Sequence, residues 1–203
     1  MNEELCKVYV IDDDQSVRQS ISLLLRSAGW QVETFGSAEK FLELEEYHNE
    51  GCIILDIFMD GRTGLELQEE IREKFPNLPI IYITGLGDIP MSVQALKKGA
   101  VNFLQKPVDD LVLLTAVDEA LNISKALCLE DQETNRVRSL LNLLTPREYQ
   151  VFRHLITGKL NKQIAGDLNI AEHTVKLHRG NITKKLGVKS MAELVRLAQK
   201  MNL

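Results

Sequence analysis

Five short apolar runs constrain this chain more than any other feature: VYVI at Val8 to Ile11, QVETF at Gln31 to Phe35, CIIL at Cys52 to Leu55, IIYI at Ile80 to Ile83 and VNFL at Val101 to Leu104. Between them lie segments with helical spacing, such as Val17, Ile21, Leu24 and Leu25, or Leu65, Leu67 and Ile71. Strands that alternate with helices specify an α/β layered fold, doubly wound around a mainly parallel five-stranded sheet. In such open sheets, ligands bind beyond the carboxyl ends of the strands, where the strand order reverses.

The residues at those ends are chemically distinctive. Asp12, Asp13 and Asp14 follow the first run in VYVIDDDQ, and Asp56 follows the third. Thr84 ends the fourth in ITGLGDIP, and Lys106 ends the fifth in FLQKP. Adjacent like charges raise one another's pKa, so three neighbouring carboxylates need a reason. Taken alone, the triplet reads equally well as a solvated turn with an Asp helix cap. Convergence of Asp12, Asp13 and Asp56 on one sheet edge is tolerable if a cation sits among them. Mg²⁺ suits one or two carboxylates, water and a phosphate, whereas zinc would want His or Cys, and neither lies at the expected strand ends.

The net charge of -5 hides an asymmetry: residues 1–122 contain 22 acidic and 10 basic residues, and residues 123–203 contain 7 and 14. An acidic half joined to a basic one suggests that the second part meets a polyanion. At 203 residues, with 44% hydrophobic and 26% charged, the chain has room for two globular domains. The start, MNEELCKVYV, has no basic region followed by a long apolar stretch, and no apolar run approaches the ~20 residues of a membrane span. A cytoplasmic protein with no membrane partner is expected. Cys6, Cys52 and Cys128 form no CxxC pair and suit reduced thiols.

From Val108 to Thr145 there is neither Gly nor Pro, so a helix starting near Asp109 can run on into a linker. Its apolar stripe is broken, and a partly helical linker over 123–141 is expected between domains at 1–122 and 142–203. The basic half opens with LTPREYQVF, where Thr145 is the N-cap, Pro146 the first helical residue and Glu148 the partner of a capping box. Helices are expected over Asn161 to Leu168, Glu172 to Leu186 and Ser190 to Met201. On the third of these four helices Val175, His178, Ile182 and Leu186 share one side, the core face, which makes His178 a packed histidine rather than a ligand. The other side carries His173, Leu177, Gly180 and Lys184, flanked by Lys176 and Asn181, with Arg179 nearer the border.

Residues 1 to about 122 resemble the receiver domain of two-component response regulators: Asp12 and Asp13, Asp56 in ILDIFMDGRTG, Thr84 and the Lys106-Pro107 pair occur in that family's order and spacing. The resemblance implies a flavodoxin-like sheet in the order 2-1-3-4-5, with Asp56 as the phosphoacceptor for a sensor histidine kinase. Asp12, Asp13, Asp56 and the backbone carbonyl of Phe58 would hold Mg²⁺, and Lys106 would neutralise the phosphoryl group. Thr84 and Phe103 would form the switch, Phe103 otherwise being an ordinary strand-edge aromatic. A cis Lys106-Pro107 bond is implied. Asp60 stands where the family often has Pro, which implies a looser loop after the phosphoacceptor.

LTPRE, KQIAGDLNIAEHTVKLH and ITKKLGV resemble the LuxR-type helix-turn-helix over 142–203. That implies a recognition helix, Glu172 to Leu186, in the major groove of promoter DNA, with Lys176 on guanine and Leu177 on a thymine methyl. Gly180 permits close approach, and Thr174, Arg179, Lys184 and Lys162 complete the DNA-binding set, the three cations on phosphates. Ala171 stands where the family usually has a capping Ser or Thr. The combination resembles the FixJ/NarL type of transcription regulator. It implies a homodimer on phosphorylation, paired through the face around Met91, Val93, Lys97 and Val101 or through the terminal helix, with RNA polymerase as a further partner. The unphosphorylated chain would be mainly monomeric. A Mg²⁺-dependent phosphohydrolase using Asp56, and a constitutive DNA binder with a vestigial receiver, are the alternatives. The attached DNA module and the lack of a cap domain weigh against the first, and the intact Asp, Thr and Lys set against the second. Enzymatic activity is expected only on the chain's own phosphoryl group.

Overall fold

The apolar runs form strands β1 (Lys7–Ile11), β2 (Gln31–Phe35), β3 (Gly51–Asp56), β4 (Ile80–Thr84) and β5 (Asn102–Gln105), all paired in parallel in the order β2-β1-β3-β4-β5. The structure is a computed structural model that describes residues 6–59, 62–85, 93 and 95–201. It divides into two compact units, 1–129 and 130–203.

In the first unit the two-residue period of the strands feeds two cores. Tyr9, Ile11, Ile53, Leu55 and Tyr82 face one side and pack on Phe41 of α2 (Ala38–Leu42) and on Leu67 and Ile71 of α3 (Gly64–Lys74). Val8, Val10, Cys52, Ile54, Ile81 and Ile83 face the other side. They meet Ile21 and Leu25 of α1 (Gln15–Ser27) and Leu113, Ala116 and Val117 of α4 (Asp110–Leu141). A parallel sheet covered on both faces must be apolar throughout, and β3 and β4 are buried along their whole length.

The caps are local and follow from sequence. The Asp14 carboxylate accepts from the amides of Ser16 and Val17 and starts α1. Thr63 and Glu66 form a capping box at α3. Gly64 is required there by space, because a Cβ at this position would sit 2.5 Å from the carbonyl oxygen of Asp56. α3 therefore starts directly beside the end of β3.

Residues 123–141, expected to be partly helical, are helical throughout as the second part of α4. Within the first unit α4 is tied to the lower end of the sheet by Ser124, whose Oγ donates to Asn77 O at 2.6 Å and accepts from Gly51 N at 3.0 Å. The expected boundary at 122 falls inside this helix, and the division between units at 129/130 lies seven residues later.

The second unit contains α5 (Pro146–Ile156), α6 (Asn161–Leu168), α7 (Glu172–Leu186) and α8 (Met191–Gln199). Val151, Phe152, Leu155, Ile164, Val175, Ile182, Leu186 and Leu194 form its core, with Leu140 and Leu141 from the end of α4 packed against it. Thr145 and Glu148 make the expected capping box at α5. The turn between α6 and α7 begins with Asn169 in the left-handed region at φ 51°, which Asn tolerates better than most residues.

Candidate functional site

Four strands deliver the residues of the acidic pocket to one edge. Asp12 follows β1 and is fully buried, Asp56 ends β3 at 5% exposure, Thr84 ends β4 and is fully buried, and Lys106 follows β5. Lys106 Nζ lies 2.6 Å from Asp12 Oδ2 and 2.6 Å from Asp56 Oδ2, bridging residues 94 and 50 positions away. The Lys106 amide donates to Thr84 O at 2.7 Å, and the Lys106-Pro107 bond is cis. Asp13 is exposed, and its carboxylate lies with those of Asp12 and Asp56 in a group whose ligand atoms are all within 4.8 Å of one another.

Burial pushes the Asp12 carboxyl above the usual carboxylate range, against hydrogen bonds from Lys106 and the Asp14 amide, the latter at 2.9 Å. Burial also works against the charge on Lys106, but its hydrogen bonds to Asp12 and Asp56 outweigh that and raise its pKa. The three carboxyl groups around Lys106 form an all-oxygen set, which suits a hard divalent cation. Asp56 Oδ1 already accepts from the Phe58 amide at 3.1 Å, which orients the carboxylate and places Phe58 immediately beside it.

Arg18 was not legible as a member of this neighbourhood. Its guanidinium donates to Asp12 O at 2.5 Å and lies against Gly36, so it braces the turn that carries the acid pair. Its position four residues after the Asp14 cap is the one signal the sequence holds. Phe103 is half-buried on β5 opposite Tyr82 and packs against the first core. Val93 is exposed and Val101 half-buried. Asp60 and Met91 lie outside the described residues.

In the second unit α7 buries Val175, Ile182 and Leu186, with His178 half-buried beside them and its Nδ1 without a hydrogen-bond partner. His173, Lys176, Leu177, Gly180, Asn181 and Lys184 are exposed together, Leu177 to 63%. A Cβ at Gly180 would meet nothing within 4 Å, so the centre of this face is open. Lys162 on α6 is exposed, whereas Thr174 is half-buried. Arg179 is also half-buried and donates from Nη1 to Asn161 Oδ1 at 2.7 Å. Ala171 offers α7 no side-chain cap.

Residues 8–118 match the family described as the response regulator receiver domain, and residues 142–198 match that of bacterial regulatory proteins, luxR family. The chain is 41% identical over 192 residues to nodulation protein W of Bradyrhizobium diazoefficiens, covering 95% of this chain and 85% of that one. It is 40% identical over 195 residues to transcriptional regulatory protein FixJ of Azorhizobium caulinodans, covering 96% and 92%. Among solved structures, response regulator StyR superposes with a TM-score of 0.81 at 46% identity, covering 97% of this chain and 99% of that one. The sheet order, the edge at which its acids, Thr84 and Lys106 meet and these two matches agree: the chain belongs to the two-component response regulators of the FixJ/NarL type, a receiver domain joined to a LuxR-type DNA-binding domain that regulates transcription.

Proposed function

We propose that a sensor histidine kinase phosphorylates this regulator on Asp56, and that phosphorylation controls its dimerisation and its hold on promoter DNA. The observation that carries this reading is the double bridge of Lys106 Nζ to Asp12 and Asp56, 2.6 Å each, at the switch point of the sheet. An Asp56 oxygen attacks phosphorus, the O–P bond forms, the N–P bond of the phosphohistidine breaks, and the imidazole leaves. Lys106 stays beside the oxygens on which charge is spread during transfer, and Thr84 offers its hydroxyl to them. Mg²⁺, held by Asp12, Asp13, Asp56 and the carbonyl of Phe58, would supply further neutralisation of the phosphoryl oxygens.

Phosphorylation then biases Thr84 and Phe103 toward a second arrangement, and the receiver face that pairs two copies changes with them. In the dimer, Lys176 and Leu177 read base edges and Gly180 lets α7 approach the duplex. Lys184, Lys162 and Thr174 serve backbone contacts. RNA polymerase is the downstream partner and the cytoplasm the place of action; among the described residues no helix is long and apolar enough to cross a membrane. The only chemistry expected is on the chain's own phosphoryl group.

Incubation with Mg²⁺ and acetyl phosphate, followed by intact mass measurement, tests the acceptor. The native chain should gain one phosphoryl adduct and Asp56→Asn none, because the amide is nearly isosteric but not a nucleophilic carboxylate. An unchanged adduct in Asp56→Asn would move the acceptor elsewhere.

A further inference from the structure

The recognition helix is held by side chains on both flanks of its buried stripe. On one flank Arg179 Nη1 donates to Asn161 Oδ1 at 2.7 Å, reaching the first residue of α6. On the other, Lys185 Nζ donates to Glu148 Oε2 at 2.6 Å and to Leu143 O at 3.0 Å. At about 100° per residue, positions 179 and 185 stand roughly 120° apart, with Val175, Ile182 and Leu186 between them. The face that carries Lys176, Gly180 and Lys184 lies on the far side of the helix.

Packing of the buried stripe and hydrogen bonds at its flanks together set how a helix is rolled about its own axis. At the start of α6 the Leu160 amide donates to Gln163 Oε1 at 2.8 Å, whereas Ala171 gives α7 no side-chain cap. Arg179 to Asn161 is the one side-chain hydrogen bond between these two helices among the described residues. The acceptor is an uncharged amide on the α6 backbone turn, so the guanidinium is directed along the protein rather than outward.

We infer that Arg179 and Asn161 are a positioning pair that sets the roll of α7, so that Arg179 governs which base pairs are preferred instead of supplying a phosphate contact. The inference rests on the DNA-binding reading and deepens it. The two roles leave different thermodynamic signatures. A lost phosphate contact weakens all sequences about equally and lowers the slope of log K against log salt by about one. A lost positioning contact tilts the side chains that read bases, so it acts on discrimination and leaves that slope in place.

The experiment uses the full chain treated with beryllofluoride and Mg²⁺, one duplex selected by that chain from a random pool, and a random-sequence duplex as reference. Affinities are measured across a salt series for the native chain, Arg179→Ala, Asn161→Ala, the double variant and Asn161→Asp, below the melting temperature of each. The ratio of selected to random affinity should fall about tenfold in either alanine variant, a typical cost of one misread base pair. The double variant should lose no more than either single, because the pair acts as a unit. Asn161→Asp keeps the acceptor and should keep the ratio, which a general loss of packing would not do. Asn161→Ala removes no charge, so an unchanged ratio in that variant overturns the inference. So does an Arg179→Ala variant that weakens both duplexes equally and flattens the salt slope. A native chain that selects no sequence at all overturns the DNA-binding reading and this one with it.

Discussion

Lys185 Nζ lies 2.6 Å from Glu148 Oε2, so the carboxylate that caps α5 also anchors the last turn of α7. The Lys185 ammonium and then the Thr145 amide hold the Glu148 carboxyl down to about 2 from an ordinary 4.5. A carboxyl whose folded-state pKa is lowered stabilises the fold above its unfolded value and loses that contribution as pH falls toward the folded one. The second unit should therefore weaken between 4.5 and about 2. Glu148→Gln should cost about 1.5–3 kcal/mol near neutral pH, as for hydrogen bonds to charged groups, and should flatten the acid limb. Thermal melts of both chains at a series of pH values check this, and parallel acid limbs would assign the loss to other carboxylates.

Lys106→Met should slow phosphoryl uptake from acetyl phosphate about a hundredfold, the usual cost of removing one charge-stabilising donor. Mg²⁺ should still bind, since all three carboxylates remain. Time-resolved intact mass gives the rate, and isothermal titration gives the metal affinity. A variant that loses Mg²⁺ would make Lys106 a support of the pocket's structure rather than of transfer. Chelation with EDTA should stop uptake in the native chain.

Gly64→Ala places a methyl 2.5 Å from Asp56 O, a backbone atom that cannot swing aside. Overpacking of this kind costs about 1–3 kcal/mol. The displaced atom belongs to the residue proposed as acceptor, so the adduct rate should fall together with the melting temperature. A drop in melting temperature with an unaltered rate would show that α3, rather than β3, gives way.

Affinity for duplex DNA should fall steeply with salt through counterion release. Lys184→Ala should weaken all sequences and reduce the slope by about one, whereas Lys176→Ala should cost preference for the selected sequence. Competition binding on selected and random duplexes separates the two, and equal behaviour of the variants would place the groove-facing side elsewhere on α7.

Phosphorylation should move a monomer–dimer equilibrium. Sedimentation velocity with and without beryllofluoride should show a larger species only in its presence, and the shift should vanish in Asp56→Asn. An unchanged distribution at micromolar concentration would leave control to a change within the monomer.

Much of this was written in the sequence, because the features concerned are local or periodic. Short apolar runs placed the five strands, helical spacing placed α1 and α3 but not the short α2, and strand ends fixed which edge Asp12, Asp56, Thr84 and Lys106 would share. Capping chemistry marked the start of α5 to the residue, since the Thr145 and Glu148 pair acts within one turn of chain. What spacing cannot carry is the meeting of side chains far apart in sequence. Arg18 against Asp12 O, Ser124 against Asn77 and Gly51, Lys185 on Glu148 and Arg179 on Asn161 each depend on how packed elements are rotated and staggered. The broken stripe of α4 likewise suggested interruption over 123–141, yet tertiary burial of Val137 and packing of Leu140 against the second core hold it as helix. Local preference sets what each segment can be, and only the folded packing decides which partners its side chains find.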